Sequence, residues 1–134
     1  MEFIEPYKLT ILVIGLSGFV IWLQLVIVDV IGIKEKHVPG FDIKQDHNSL
    51  LFRSNRALAN SNESVGILIL FTLFAIFSSG DASWVNGFSI AYLIGRVGHM
   101  LCYYFNLRVL RSIAFGVSFV SLLGIFIIGL IAWF

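Results

Sequence analysis

Arg96 stands near the middle of Trp84 to Leu107, an otherwise apolar stretch long enough to cross a bilayer. A charge at that depth costs at least ~2.5–3.5 kcal/mol, and such residues face protein or a water-filled cavity. A chain that carries one must fold around it. His99, Tyr103 and Asn106 follow Arg96 at offsets of three, seven and ten, so a continuous helix places all four on one stripe. The apolar segment before it carries Arg53, Arg56, Asn60 and Glu63 at the same offsets. Two polar stripes inside apolar helices predict the wall of a ligand site.

Composition agrees with burial in lipid. Of 134 residues, 58% are hydrophobic and 13% charged, and the mean hydropathy is +0.93, whereas soluble domains carry about 25% charged residues. Most of the 13 Phe, 3 Trp and 4 Tyr lie in apolar runs rather than on a basic face, which excludes nucleic acid as a partner. The expected fold class is an all-α membrane protein, a single four-transmembrane-helix bundle filling residues 1–134. The single cysteine, Cys102, reads as a small buried filler. No cysteine, histidine and carboxylate set has metal-ligand spacing, so no metal site is expected, and His37 and His47 read as solvated loop residues.

The spans are expected near residues 7–33, 50–77, 84–107 and 111–134. Glu2, Glu5 and Lys8 do not make a basic leader, so Leu9 to Val28 reads as a retained span rather than a cleaved signal. Asp29 reads as a helix-end or interfacial group. In the second span the apolar part is Val65 to Phe77, 13 residues. That is ~20 Å of helix against a hydrocarbon core of ~30 Å, so its polar stripe must enter the membrane or its interface. Gly15, Ser17 and Gly18 in the first span, and Gly116, Ser118, Ser121, Gly124 and Gly129 in the fourth, are small residues that let helices approach. Lys34, Lys36, Lys44, Arg53, Arg56, Arg108 and Arg111 hold or adjoin loops one and three, against Lys8 on the other side. The positive-inside rule then puts those loops, and the mouth of the stripes, in the cytoplasm.

The charge balance asks for an anion. Arg53, Arg56, Arg96 and Arg111 lie within or at the mouth of the cluster, Arg108 is close, and Glu63 is the sole acid on the stripes. Glu63 is expected to compensate one arginine across to the neighbouring helix. Arginine cannot deprotonate, and its planar fork matches carboxylates and phosphates.

Arg53-Ser-Asn-Arg56-Ala57-Leu-Ala-Asn60-Ser-Asn-Glu63 resembles the R-x-x-R-A-x-x-N-x-x-E signature of MAPEG proteins, membrane-associated proteins in eicosanoid and glutathione metabolism. Gly95-Arg96-Val-Gly-His99-Met-Leu-Cys-Tyr103 is similar to that family's G-R-x-x-H-x-x-x-Y segment, and Arg111-Ser112 to the Arg-Ser opening the fourth helix in the prostaglandin E synthase branch. The resemblance covers nearly the whole chain and is to a prokaryotic-type member.

The resemblance implies a homotrimer that binds glutathione between subunits. Arg56, Asn60, Glu63, His99, Tyr103, Arg111 and Ser112 would contact it, with Arg53 and Arg96 in support. The implied function is a glutathione-dependent transferase or peroxidase for small lipophilic electrophiles drawn from the bilayer, in a bacterial-type inner membrane. Arginines suit the two carboxylates of glutathione, Glu63 its ammonium and Asn60 its amides. A free thiol has a pKa of ~8.5, and cationic or hydroxyl neighbours favour its thiolate; Arg111 with Ser112 are the residues expected to do so. The alternatives are a non-catalytic lipid- or peptide-binding relative and a small-anion transporter, although no mid-span Pro or Gly-Pro break favours the latter. Three positions depart from the family pattern. Gly66 and Ile67 stand where many members have a proline, Phe115 where an aromatic hydroxyl is expected, and Lys34 near the place of a helix-one arginine.

Overall fold

The computed structural model describes residues 2–134. A short 3-10 segment, Glu2–Tyr7, leads into four helices: α1 Lys8–Lys34, α2 Leu50–Phe77, α3 Ala82–Tyr104 and α4 Arg108–Trp133. Their starts and stops have local causes. The Ser49 hydroxyl accepts from the Phe52 amide at 3.3 Å and opens α2. The Asp81 carboxylate accepts from Ser83 and Trp84 amides at 2.9 and 3.1 Å and opens α3. Both satisfy amides that a first turn leaves unpaired.

The first three helices stop in one way. Lys36, Ser79 and Asn106 have φ of 56°, 58° and 56°. Each is followed by a residue whose amide reaches back to the last turn: His37 to Gly32, Gly80 to Ala75 and Leu107 to Cys102, at 2.8–2.9 Å. This is the Schellman ending, with a left-handed residue just past the helix. It corrects two boundaries. The third helix ends at Tyr104, so Asn106 sits in the turn rather than on the Arg96 stripe. The fourth begins at Arg108, one turn earlier than the expected start at Arg111.

The helices run antiparallel in sequence. The α2–α3 turn lies beside the far end of α4, since a Cβ on Gly80 would be 3.2 Å from Ile128. Tyr7 donates its hydroxyl to the Gly80 carbonyl. Asn86 ties the chain start to α3, donating to the Pro6 carbonyl at 2.9 Å and accepting from the Thr10 hydroxyl at 2.7 Å. At the other end Arg53 donates to the Tyr103 carbonyl at 3.0 Å. The arginine-rich turns therefore share one end of the bundle, and both chain termini share the other.

Among the described residues, Glu2–Lys34, Leu50–Phe77 and Arg108–Trp133 are long and apolar enough to cross a membrane. α3 falls short of that apolarity, unlike the expectation of four such spans. Its polar side chains explain the difference: Ser89, Arg96 and His99 are buried inside the bundle. Short turns join it to two spanning helices, so α3 crosses with them and hides its polarity in protein.

The apolar core, including Tyr7, Leu68, Ala75, Val85 and Ile125, fills the half near the chain termini. Polar groups take the other half. α3 and α4 meet closely at Gly95, where a Cβ would stand 2.5 Å from Ser118 Oγ and 2.9 Å from the Ala114 carbonyl. Gly124 and Gly129 similarly make room for the rings of Phe88 and Phe74. Gly15, Gly18 and Gly116 meet nothing within 4 Å, so they do not serve helix packing within the chain.

Candidate functional site

Arg96 is only 4% exposed, held between α2 and α3. Its Nη1 donates to Asn60 Oδ1 at 2.9 Å and its Nη2 to Ser61 Oγ at 3.2 Å. Asn60 in turn donates through Nδ2 to Glu63 Oε2 at 3.3 Å. Asn60 can do both because its amide has an acceptor at one corner and donors at the other. The result is a relay, Arg96 to Asn60 to Glu63, across two helices.

This corrects the expected ion pair. Among the described residues the one ion pair is Lys8–Glu5, at the opposite end of the bundle. Glu63 is exposed and reaches the arginine only through the Asn60 amide. The reason is geometric: Asn60 and Ser61 already occupy the arginine fork, and Glu63 lies nearly one turn further along α2.

The relay opens on a cavity of about 200 Å³ bounded by α2, α3 and α4. Asn60, Glu63 and Arg96 form its polar end, with Phe115, Phe119 and Leu122 opposite. It adjoins a second, almost wholly apolar pocket, of which Ile67, Phe119 and Leu122 are also walls. A solute here would meet charge at one end and hydrocarbon at the other.

About one turn along α3 lies a second layer. His99 is 3% exposed and meets the Tyr103 ring edge-on, centroids 5.0 Å apart. The Arg111 guanidinium covers the Tyr103 ring at 4.5 Å, a cation–π contact worth ~0.5–2 kcal/mol. Arg111 Nη1 and His99 Nδ1 are buried with no partner in the protein. Arg96 thus stands one turn before His99 on α3 and Arg111 lies beyond it over Tyr103, and of these residues only Arg96 lines the cavity.

The remaining candidates sit elsewhere. Arg53 holds carbonyls of His47, Asn48, Tyr103 and Tyr104, so it clamps the α3 end to the start of α2 and does not line the cavity. Arg56 is exposed at the same end of the bundle. Ser112 is exposed, and its hydroxyl donates back to the Arg108 carbonyl at 3.3 Å. Adjacent helical residues point about 100° apart, so Arg111 faces Tyr103 while Ser112 does not share that side.

Sequence reasoning overlooked Tyr92 and its partner. Tyr92 is 2% exposed, and its hydroxyl lies 2.8 Å from Ser64 Oγ. The signal was present, since Tyr92 precedes Arg96 by four residues and continues the stripe of His99 and Tyr103 backwards. Phe115 lines the cavity with its ring 6.1 Å from His99, and so presents hydrocarbon where the resemblance leads one to expect a hydroxyl.

Comparison with known proteins bears on the chain as a whole. No curated protein matches the chain. The model of the MAPEG family matches residues 10–131, which takes in α2, α3, most of α1 and α4 and every residue of both polar layers. The chain therefore belongs to the MAPEG family.

Proposed function

We propose that the protein is a glutathione-dependent transferase or peroxidase acting on lipophilic electrophiles within the membrane. The observation that carries the reading is the Arg96–Asn60–Glu63 relay at the polar end of a cavity whose other end is apolar. Glu63, exposed and free of any arginine, is available to the ammonium of glutathione. Asn60 and Arg96 stand beside it for amide and carboxylate oxygens, and Arg56 and Arg111 supply further cationic donors. The Arg111 guanidinium, with Nη1 buried and unpartnered, favours the thiolate over the thiol. The thiol proton passes to water. The sulfur then forms a bond to the electrophilic carbon as the leaving group departs with its electron pair. With a hydroperoxide the sulfur takes the terminal hydroxyl as a sulfenic acid, the O–O bond breaks and the alkoxide leaves, taking a proton from water to become the alcohol. A second glutathione then gives the disulfide and water.

The working unit in this reading is a homotrimer in a bacterial-type inner membrane, with the arginine-rich end toward the cytoplasm. Gly15, Gly18 and Gly116, with no neighbour within 4 Å of a Cβ, leave room on α1 and α4 for neighbouring copies. Phe115 favours a second reading, a non-catalytic lipid- or peptide-binding relative, because it removes a hydroxyl from the reacting end.

Purified protein titrated with glutathione tests the proposal through the ultraviolet absorbance of thiolate, followed by turnover with a panel of hydrophobic electrophiles and hydroperoxides. Arg111→Ala should lose most of the thiolate signal, and Arg108→Ala, exposed at the helix start, little of it. Equal signals in wild type and Arg111→Ala would remove Arg111 from the chemistry. Binding without turnover across the panel would favour the non-catalytic reading.

A further inference from the structure

Arg96 separates two cavities. The larger is the candidate ligand site. The smaller lies on the other side of the guanidinium, between α1, α2 and α3, with a volume of about 10 Å³. Ser17, Ser61, Tyr92 and Arg96 contribute its polar wall, and three aliphatic side chains close it. Two of those polar groups lack partners within the protein: Arg96 Nε and Ser17 Oγ, on residues 4% and 5% exposed. A buried donor left unpaired costs ~1–3 kcal/mol, and more when it is charged.

We propose that this cavity holds one ordered water that ties α1 to Arg96. Its volume is on the order of one water sphere, and a buried water needs two to four polar partners. The partners present match water in both senses. Arg96 Nε–H donates to it. Ser61 Oγ already accepts from Arg96 Nη2, and its own proton is free to be donated inward. The water then donates to Ser17 Oγ and to the Tyr92 oxygen. Tyr92 can accept, because the Ser64 hydroxyl donates to the Ser61 carbonyl at 3.2 Å, which leaves the Tyr92 proton to Ser64.

The water gives the one nitrogen of the guanidinium that lacks a partner its hydrogen bond. Nη1 and Nη2 are held by α2, and Nε by the water and α1, so the fork cannot rotate away from Asn60. Ser17 is thereby a positioning residue for the relay, although it touches no part of the larger cavity. The water site stands on unpaired atoms and volume, and it does not depend on the identity of the ligand in that cavity.

The test is solution NMR on detergent-solubilised protein with ¹⁵N-labelled arginine. The Arg96 Nε–H should show a cross-peak to water with the sign of a long-lived bound molecule. Ser17→Val, which fills the cavity with methyl groups, should abolish that cross-peak while the Nε–H resonance remains. Absence of the cross-peak in wild type overturns the proposal whether or not the variant folds. An undiminished cross-peak in folded Ser17→Val also overturns it. Loss of glutathione binding with the wild-type cross-peak intact would count against the proposed function and leave the water site standing.

Discussion

Glu63 carries its charge two hydrogen bonds away from Arg96, with Asn60 between them. A carboxylate in that position stays exposed and keeps its oxygens available to a ligand. The consequence is separable from folding. Glu63→Gln retains an acceptor for Asn60 and should change stability by about 0.5 kcal/mol or less, as for other exposed positions. It removes the anion that would face an ammonium, a contact worth ~1.5–3 kcal/mol, so the glutathione dissociation constant should rise about tenfold or more. Thermal unfolding and calorimetric titration of the one variant read both effects. A large loss of stability with unchanged affinity would mean that Glu63 serves the fold. Gln24 presents the reverse case. It is fully buried, and both its amide atoms lack a partner in the protein. Gln24→Leu, similar in volume and without polar atoms, should therefore raise stability by about 1 kcal/mol. A lower melting temperature would show that the amide is satisfied in the assembled protein.

The elements act through how closely they approach. Gly95 lets α3 rest on α4, and Arg96 is the next residue along the chain. Gly95→Ala would force a methyl to within 2.5 Å of Ser118 Oγ and 2.9 Å of the Ala114 carbonyl. Backbone cannot yield as a flexible side chain does, so the helices must part, at a cost of about 1–3 kcal/mol. Gly98→Ala is the internal control, because its methyl would meet only Ala114 Cβ at 3.6 Å, an ordinary contact. The melting temperature should fall for the first variant and hold for the second. Equal melting temperatures would mean that α3 and α4 have slack at this crossing. The helix ends were less legible than the helices. Lys36, Ser79 and Asn106 all take left-handed conformations more often given to glycine, and of the three only asparagine is a residue type that commonly marks a stop.

At the scale of the whole molecule, the apolar core fills the end of the bundle near the chain termini while the other end gathers the arginines. Three glycines on α1 and α4 meet no neighbouring helix of the same chain. With the family membership, this leads to an expected trimer, to be read by native mass spectrometry in mild detergent. A dominant monomer that still turned over glutathione would rule out a site shared between subunits.

Four helices, their order and, but for Asn106, the two polar stripes were legible in the sequence, because helical period and bilayer thickness leave few other solutions for such a pattern. The family followed from motifs spread over both stripes. What the linear chain left open was which polar atom met which. Arg96, Asn60 and Glu63 could be placed on facing helices, yet whether the acid met the arginine directly depended on the rotation of α2 against α3. Arg111 and Ser112 are neighbours in sequence and part company on the helix. Ser17 and Arg96, 79 positions apart, come together only when α1 packs against α3. Contacts of that kind depend on helix rotation and separation to within an ångström, which side-chain volumes across the whole bundle decide together and no local stretch encodes.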